Sequence, residues 1–304
     1  MLHPRHWGIW LLIALLWCFA LVPVRPRDRL ARALGRWLAG SRLLKKRRRI
    51  LLTNLKACFP EMTRDEAEQL FVGNVQAFCQ TVLSLGELSW RSFEHIQSRV
   101  EIRGHENLEA VLANRGPLIF LTPHTFALDW AAKKLILNGV PLCNIFKPTG
   151  NDVYDYMMYR QRIRGGGSQF ERGSGMCAMV KSIRGGQPCF YVADEDHGLE
   201  NSVFAPFFAT EKCTLPTLGR LSRAAKAKVL PVICGYDAEQ ARFVLHVLPA
   251  LEQVPQEELA SATAMNQAYE ELIRLCLRDY MWSLRLLRNR DGSRPYGAEP
   301  EFDR

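Results

Sequence analysis

The chain has 304 residues, 48% hydrophobic and 23% charged, a balance typical of folded globular proteins. Its nine cysteines are odd in number and form no Cys-x-x-Cys pair, which argues against a disulfide framework or a thiolate zinc site and suits a reducing compartment. The net charge of +9 is uneven, because residues 1–50 hold twelve Lys or Arg against one acid, a net of +11 that leaves −2 for the other 254 residues. No nucleic-acid-binding module accompanies this basic end, so a nucleic-acid partner is not expected.

The first predicted element is an uncharged apolar run, Trp7 to Val24, whose eighteen residues lie near the lower length limit for a membrane-spanning helix. A cleaved signal peptide is the alternative, but no small-x-small site follows the run. The basic segment that follows, including Lys-Lys-Arg-Arg-Arg at 45–49, would oppose translocation. We therefore predict an uncleaved single-pass anchor over residues 1–25, with the rest of the chain in the cytoplasm.

Residues 26–97 are predicted to form a basic interfacial helix followed by a further helical segment. Residues 28–50 have the pattern of one amphipathic helix lying on an anionic membrane surface. Its apolar side would consist of Leu30, Leu34, Trp37, Leu38 and Leu43. Thr63 is a candidate N-cap, with Glu66 completing a capping box, and one or two helices are expected over 63–92.

From 98 to 290 short apolar runs alternate with helical stretches. This alternation predicts an α/β domain with a central, mostly parallel sheet and flanking helices. The predicted strands are Val100–Ile102, Leu118–Leu121, Leu142–Phe146, Cys189–Ala193, Val229–Cys234 and Phe243–Val247. The predicted helices lie near 106–114, 127–138, 152–163, 175–184, 216–227 and 257–287. Residues 291–304 are expected to be a flexible tail.

The segment LTPHTFALD sets His124 five positions before Asp129. On one regular helix the two side chains would not share a face. A strand ending at Leu121, with Pro123 disfavouring helix before it, instead predicts His124 in a turn and Asp129 at the start of the next helix. Asp129 would then orient His124 as a base. The alternative is a buried histidine beside a helix-start aspartate that serves only the helix dipole.

A second segment, YRQRIRGGGSQFERGSG, brings Arg160, Arg162, Arg164 and Arg172 close to a glycine run. Guanidinium groups beside a flexible loop are suited to binding phosphate. The alternative is a solvated basic helix that ends in a flexible turn.

A third segment, ADEDHG, places Asp194 and Asp196 directly after a predicted strand. They are candidates for a metal site, for a substrate pocket, or for a polar turn without further function. Phe204 and Phe207, which follow, belong either to the core or to the wall of an acyl-chain pocket.

Together these segments resemble the lipid A late acyltransferases, a branch of the glycerolipid-type acyltransferases with an H-x4-[D/E] signature. The resemblance rests on HTFALD, LHPRHWGIWLLIALLW, RRRILLTNLKACFPEM, ADEDHG with VFAPFFA, and YMW at 280–282, and it runs from about residue 2 to 290. It implies a bacterial inner-membrane enzyme that moves an acyl group from acyl carrier protein, or from a coenzyme A thioester, to a hydroxyl of a lipid A precursor. The acyl thioester is a co-substrate, and no cofactor or metal is implied.

The resemblance also implies roles for individual residues. His124 would be the base, Asp129 its orienting acid and Arg164 the first candidate for oxyanion stabilisation, with Arg172 second. Substrate binding would fall to Arg160, Arg162, Arg172, Asp194, Asp196, Phe204 and Phe207.

Two departures from the family pattern leave the acceptor open. Leu284 stands where the lipid A branch commonly has histidine, and Asp129 stands where many members have glutamate. Lysophospholipid, ornithine lipid and polyene lipid acceptors are alternatives. A metal-dependent glycosyltransferase using Asp194 and Asp196, and a catalytically silent membrane scaffold, are rivals from other classes.

Overall fold

The computed structural model describes residues 3–146, 148–171 and 175–302. The helices in these ranges are α1 Trp7–Leu21, α2 Val24–Ala39, α3 Lys45–Cys58, α4 Arg64–Trp90, α5 Phe93–Ser98, α6 His105–Leu112, α7 Leu128–Leu137, α8 Asp152–Ile163, α9 Gly175–Arg184, α10 Leu218–Ala225 and α11 Glu258–Leu275. The strands are β1 Val100–Arg103, β2 Leu118–Leu121, β3 Cys143–Phe146, β4 Ser168–Glu171, β5 Cys189–Tyr191, β6 Val203–Phe207, β7 Thr210–Thr214, β8 Lys228–Asp237 and β9 Arg242–Val247.

Seven of these strands form one sheet in the order β1-β9-β8-β2-β5-β3-β4. Every neighbouring pair is parallel except β8 with β9. The predicted α/β class with a mostly parallel central sheet is therefore confirmed. Two features were not predicted: strand β4, and the separate antiparallel hairpin of β6 and β7.

The basic segment is not one helix, as the sequence pattern had suggested. α2 ends at Ala39, with Gly40 as its C-cap, and α3 begins at Lys45 after a short 3-10 turn. The break lets α3 turn its apolar face into the core, where Leu52 and Leu55 are fully buried. The capping box of Thr63 and Glu66 is confirmed, since each side chain accepts the other residue's backbone N–H.

One stretch among the described residues, Pro4–Leu21, is long and apolar enough to cross a membrane, and 11% of it is buried within the protein. It packs against α4 at very short range. A Cβ atom added to Gly86 would lie 2.1 Å from the carbonyl oxygen of Leu16, so only glycine fits there. A buried charge cluster ties α2 to α4. The fully buried Glu87 of α4 accepts hydrogen bonds from Arg27 of α2 and from Arg99.

The last predicted helix, 257–287, is wrong in its second half, because α11 ends at Leu275. The chain then runs as an irregular buried segment, residues 276–287, which carries the fully buried rings of Tyr280 and Trp282. Its backbone carbonyls cannot pair within a helix, so other groups must supply their donors. Two buried asparagine amides do so.

The two asparagines are Asn54 on α3 and Asn74 on α4. The amide of Asn54 donates to the carbonyls of Trp282 and Leu284, at 2.7 and 2.8 Å. That of Asn74 donates to Arg278 and Tyr280, at 2.7 and 2.8 Å. The helical layer thereby holds the irregular segment in place.

Replacing Asn74 by Leu should leave the Arg278 carbonyl without a donor and the Tyr280 carbonyl with only the Trp282 N–H. A buried orphan costs about 1–3 kcal/mol, so we expect a loss of about 1–3 kcal/mol in the free energy of unfolding. Thermal unfolding of the detergent-solubilised protein would measure it. The matched control is Asn114→Ala, which removes an exposed amide that donates to Ala110 O at 2.8 Å and should change stability by less than about 0.5 kcal/mol. Equal melting temperatures for the two variants would contradict this account.

Candidate active site

His124 lies in the turn between β2 and α7, as the sequence predicted. Its partner, however, is Asp194 and not Asp129. The His124 ring nitrogen Nδ1 lies 2.5 Å from Asp194 Oδ1, and the His124 backbone N–H donates to Asp194 Oδ2 at 2.9 Å. β2 and β5 are adjacent and parallel, so the residues that follow them meet at the same edge of the sheet.

The His124–Asp194 pair has the charge distribution of an oriented base. Burial opposes ionisation of the completely buried Asp194, but the adjacent His124 lowers the pKa of its carboxyl to about 2. Burial also acts to lower the pKa of His124, but the charge and hydrogen bond of Asp194 outweigh it and raise that pKa above 6.5. Because an ionised carboxylate can only accept, Nδ1 must carry the proton, and Nε2 is left as the basic nitrogen.

Asp129 pairs with an arginine instead of with the histidine. In the first turn of α7, its carboxylate accepts from Arg162 Nε at 2.7 Å and from Arg162 Nη2 at 3.3 Å. This bidentate contact raises the pKa of Arg162 and fixes the plane of its guanidinium group. The site therefore holds two acid–cation pairs, His124 with Asp194 and Arg162 with Asp129.

His124 and the Arg162–Asp129 pair line a cavity of about 900 Å³, and Asp194 lies buried behind His124. His124, Asp129 and Arg162 contribute to its wall together with Glu195 and His197. The remaining wall is largely apolar. Its apolar residues include Phe78, Val82, Leu85, Phe126, Leu128, Phe146, Met158, Met179, Phe190, Val192, Leu215 and Met281. A cavity of this size with a few convergent polar groups is typical of a site for an apolar ligand.

Of the other predicted arginines, Arg160 and Arg164 are not among the residues that line this cavity. Arg164 donates to the carbonyls of Leu88 and Arg91, at 3.0 and 2.7 Å, and so satisfies the carboxyl end of α4. Arg160 is exposed and donates to Tyr156 Oη at 3.2 Å. Arg172 falls outside the described residues.

The second acid of the predicted Asp-x-Asp pair also has another role. Asp196 accepts from Arg288 at 3.0 and 3.1 Å and from Arg294 at 2.7 Å, so its carboxylate is occupied by two guanidinium groups. Within the described ranges, no group of three or more His, Cys, Asp or Glu side chains is arranged to hold a metal ion.

The two phenylalanines expected at the acyl pocket are not in the cavity wall. Phe207 is fully buried in the core, and Phe204 is half-buried beneath the guanidinium of Arg290, 4.8 Å from its ring centre. The apolar wall comes in part from Phe78, Val82 and Leu85 on α4. Sequence reasoning had treated that segment only as a helix. Phe78 is 45% exposed, an exposure that only the structure shows.

An α/β sheet that carries a histidine–carboxylate pair, with the histidine in the wall of a largely apolar cavity, is the kind of framework expected of an enzyme with an apolar substrate. Comparison with known proteins shows the family. The profile of the family described as bacterial lipid A biosynthesis acyltransferase matches residues 1–289. The chain belongs to that family and is accordingly an O-acyltransferase.

Individual relatives agree over almost the whole chain. The lipid A biosynthesis acyltransferase of Haemophilus influenzae is 36% identical over 296 residues, 97% of this chain and 92% of the relative. The lipid A biosynthesis myristoyltransferase of Escherichia coli is 36% identical over 289 residues, 95% of this chain and 89% of the relative. The lauroyltransferase of the same organism is 27% identical over 304 residues, 99% and 97% of the two chains.

Arg162 and Arg164 have different partners in the structure, so substitutions should distinguish their roles. Replacing Arg164 by Gln should lower the free energy of unfolding by about 1–3 kcal/mol, since two helix-end carbonyls lose their charged donor. The kcat of the folded protein should change little. Replacing Arg162 by Gln should instead lower kcat by at least about tenfold while the melting temperature changes less, because its guanidinium lies in the cavity wall.

Acyl transfer assays paired with thermal unfolding would decide between these roles. A large loss of kcat in Arg164→Gln without loss of stability would restore Arg164 as the oxyanion donor.

Proposed function

We propose that the protein transfers a fatty acyl group from the thioester of acyl carrier protein to a hydroxyl of a hydroxyacyl chain on a lipid A precursor. One observation carries the proposal. The Nδ1 atom of His124 is committed to a buried carboxylate, so its basic Nε2 is left for the apolar cavity in whose wall the histidine lies. A base beside an apolar cavity suits activation of a hydroxyl on a lipid chain.

In the proposed step the acceptor hydroxyl gives its proton to His124 Nε2 as its oxygen attacks the thioester carbonyl carbon. The new C–O bond forms and a tetrahedral oxyanion results. When this intermediate collapses, the C–S bond breaks, and the departing thiolate receives the proton from the imidazolium. No covalent acyl-enzyme is needed, which agrees with the lack of a G-x-S-x-G elbow in the sequence.

Arg162 is the proposed donor to the oxyanion. Its guanidinium is fixed in the cavity wall by Asp129, and preorganised donors are the most effective means of stabilising developing charge. Asp129 then acts on the reaction through Arg162 and not through His124. Asp194 takes the orienting role that the sequence had assigned to Asp129.

The N-terminal region supports a membrane location. Pro4–Leu21 would be a single-pass anchor in the bacterial inner membrane, and the arginines that follow it favour a cytoplasmic active site. An anionic membrane surface would stabilise the exposed arginines of α2, at about 1 kcal/mol for each basic residue near the surface.

The proposed acceptor is inferred from the names of the relatives. The names of three Escherichia coli relatives assign them myristoyl, lauroyl and palmitoleoyl transfer in lipid A biosynthesis. Three relatives named for lipid A biosynthesis are 36% identical to this chain over the aligned residues, so lipid A is the best-supported acceptor.

Replacing His124 by Gln should lower kcat by about 10²–10⁴-fold, because the transferred proton loses its base. The measurement is transfer of labelled acyl groups from acyl carrier protein in mixed micelles. Replacing the exposed His105 by Gln provides the control and should leave the rate unchanged. Near-normal transfer by the His124 variant would contradict the assignment of His124 as the base.

Mass spectrometry of lipids would identify the acceptor. Cells that lack the gene should contain lipid A lighter by one acyl chain, and expression of the wild-type chain, but not of His124→Gln, should restore the missing mass. A mass change confined to phospholipids or ornithine lipids would contradict the proposed acceptor. Activity of the purified enzyme should persist in EDTA, whereas loss that manganese reverses would show that acyl transfer requires a metal ion.

A further inference from the structure

The β6–β7 hairpin carries a lysine in the interior of the protein. Lys212 of β7 lies opposite Ala205 of β6 and is 0% exposed. Its Nζ lies 5.4 Å from the ring centre of Phe207, and within the described residues it has no hydrogen-bond or ion-pair partner. Burying an ammonium group without a direct partner is costly, so a nearby negative charge must compensate it.

That charge belongs to Asp194. Burial lowers the pKa of Lys212 below its ordinary value, and the charge of Asp194 is the largest of the influences that oppose this effect. Conversely, Lys212 contributes to the low pKa of Asp194 and acts to lower the pKa of His124. The three side chains therefore form one electrostatic unit, although Lys212 makes no hydrogen bond to either partner.

Several other titratable groups face this unit. Glu195 acts to raise the pKa of His124, with its carboxylate 3.8 Å from Nε2. Cys58, Asp196 and Cys213 act on Lys212, and Asp194 raises the pKa values of the neighbouring Tyr269 and Tyr280. Among these, Asp196 is already paired with two arginines. The buried Asp194 lies near two groups that can carry a positive charge, His124 and Lys212. His124 must be neutral to act as a base.

We propose that Lys212 is a positioning residue for the transfer reaction: a buried cation that balances the Asp194 carboxylate while His124 is neutral, so that His124 is available as a base. The inference rests on the proposed function. Without Lys212, a neutral His124 would leave a fully buried carboxylate uncompensated, and the site would instead retain a proton on the imidazole.

The balance of charge also favours the next stage of the reaction. Before the reaction, neutral His124, anionic Asp194 and cationic Lys212 sum to zero. Once His124 has accepted the hydroxyl proton, the unit carries a net charge of about +1, at the moment when negative charge develops on the thioester oxygen. A positive charge that arises in a low-dielectric site stabilises that oxyanion.

The test measures the ionisation of His124 directly. NMR titration of the full-length protein in detergent, labelled at histidine Cε1, follows the ring, and His124→Gln assigns its resonance. In Lys212→Met the pKa of His124 should rise by about one unit, equivalent to about 1.4 kcal/mol. Lys212→Arg keeps the charge and should restore a value close to that of wild type.

A second buried lysine provides the matched control. Lys133 is 1% exposed, but its Nζ donates to the carbonyls of Gln161 and Arg164 and not to the His124 unit. Lys133→Met should lose stability and leave the pKa of His124 unchanged. An unchanged His124 pKa in folded Lys212→Met would overturn the proposal.

Should Lys212→Met fail to fold, the wild-type protein still decides the question. Its Lys212 side chain, followed by the Cε resonance that Lys212→Arg removes, must be charged at pH 7, and a neutral amine there overturns the inference.

The kinetic consequence separates this inference from the proposed function. The neutral, basic form of His124 increases as pH rises through its pKa, so kcat/KM should rise with pH in wild type. In Lys212→Met that rise should move about one unit higher, with several-fold lower activity at pH 7 that is recovered at pH 9. A wild-type enzyme that transfers no acyl group refutes the function and leaves the titration result standing. A lower rate with an unmoved pH profile shows that Lys212 is merely structural.

Discussion

The carboxylate of Asp194 is held as an anion in the interior, and the position of the active histidine depends on it. One of its oxygens accepts the His124 backbone N–H and the other faces the His124 ring, so it fixes both the turn and the imidazole. The opposite side of the turn is held by the irregular buried segment, where the Met281 N–H donates to the His124 carbonyl at 3.0 Å. That segment is itself held by the amides of Asn54 on α3 and Asn74 on α4, so the position of His124 also depends on these two helices.

Helix α4 connects the cavity with the N-terminal helices. One of its faces meets α1 at Gly86, and Phe78 and Val82 contribute to the cavity wall. The buried Glu87 ties the same helix to Arg27 of α2. The apolar N-terminal helix and the cavity therefore share one rigid support. This arrangement suits a lipid substrate, since the cavity is held at a fixed position relative to the segment that would enter the membrane.

Much of the fold could be predicted, because strand and helix periodicities are local. The position of His124 followed from a strand, a proline and a helix start in succession. Its partner did not, because Asp194 lies 70 positions away and approaches only through the pairing of β2 with β5. Strand β4 was missed because it directly follows a glycine run, and the hairpin because its sequence lacks clear alternation.

The different roles of Arg162 and Arg164 likewise could not be predicted from the sequence. α8 ends at Ile163, and the extended backbone of Arg164 then directs that side chain to α4. A resemblance at the level of a motif block could not show which arginine faces the cavity.

The five-residue spacing from His124 to Asp129 acquires a different meaning in the structure. It does not bring an acid to a base; it places a base in the turn and an acid in the first turn of α7, each facing its own partner. Asp194 holds the imidazole and Asp129 holds the guanidinium of Arg162. A shift of one residue would rotate Asp129 by about 100° around α7, away from Arg162. The spacing thus sets the position of the proposed proton acceptor relative to the proposed oxyanion donor, the two groups that must act on the same tetrahedral intermediate.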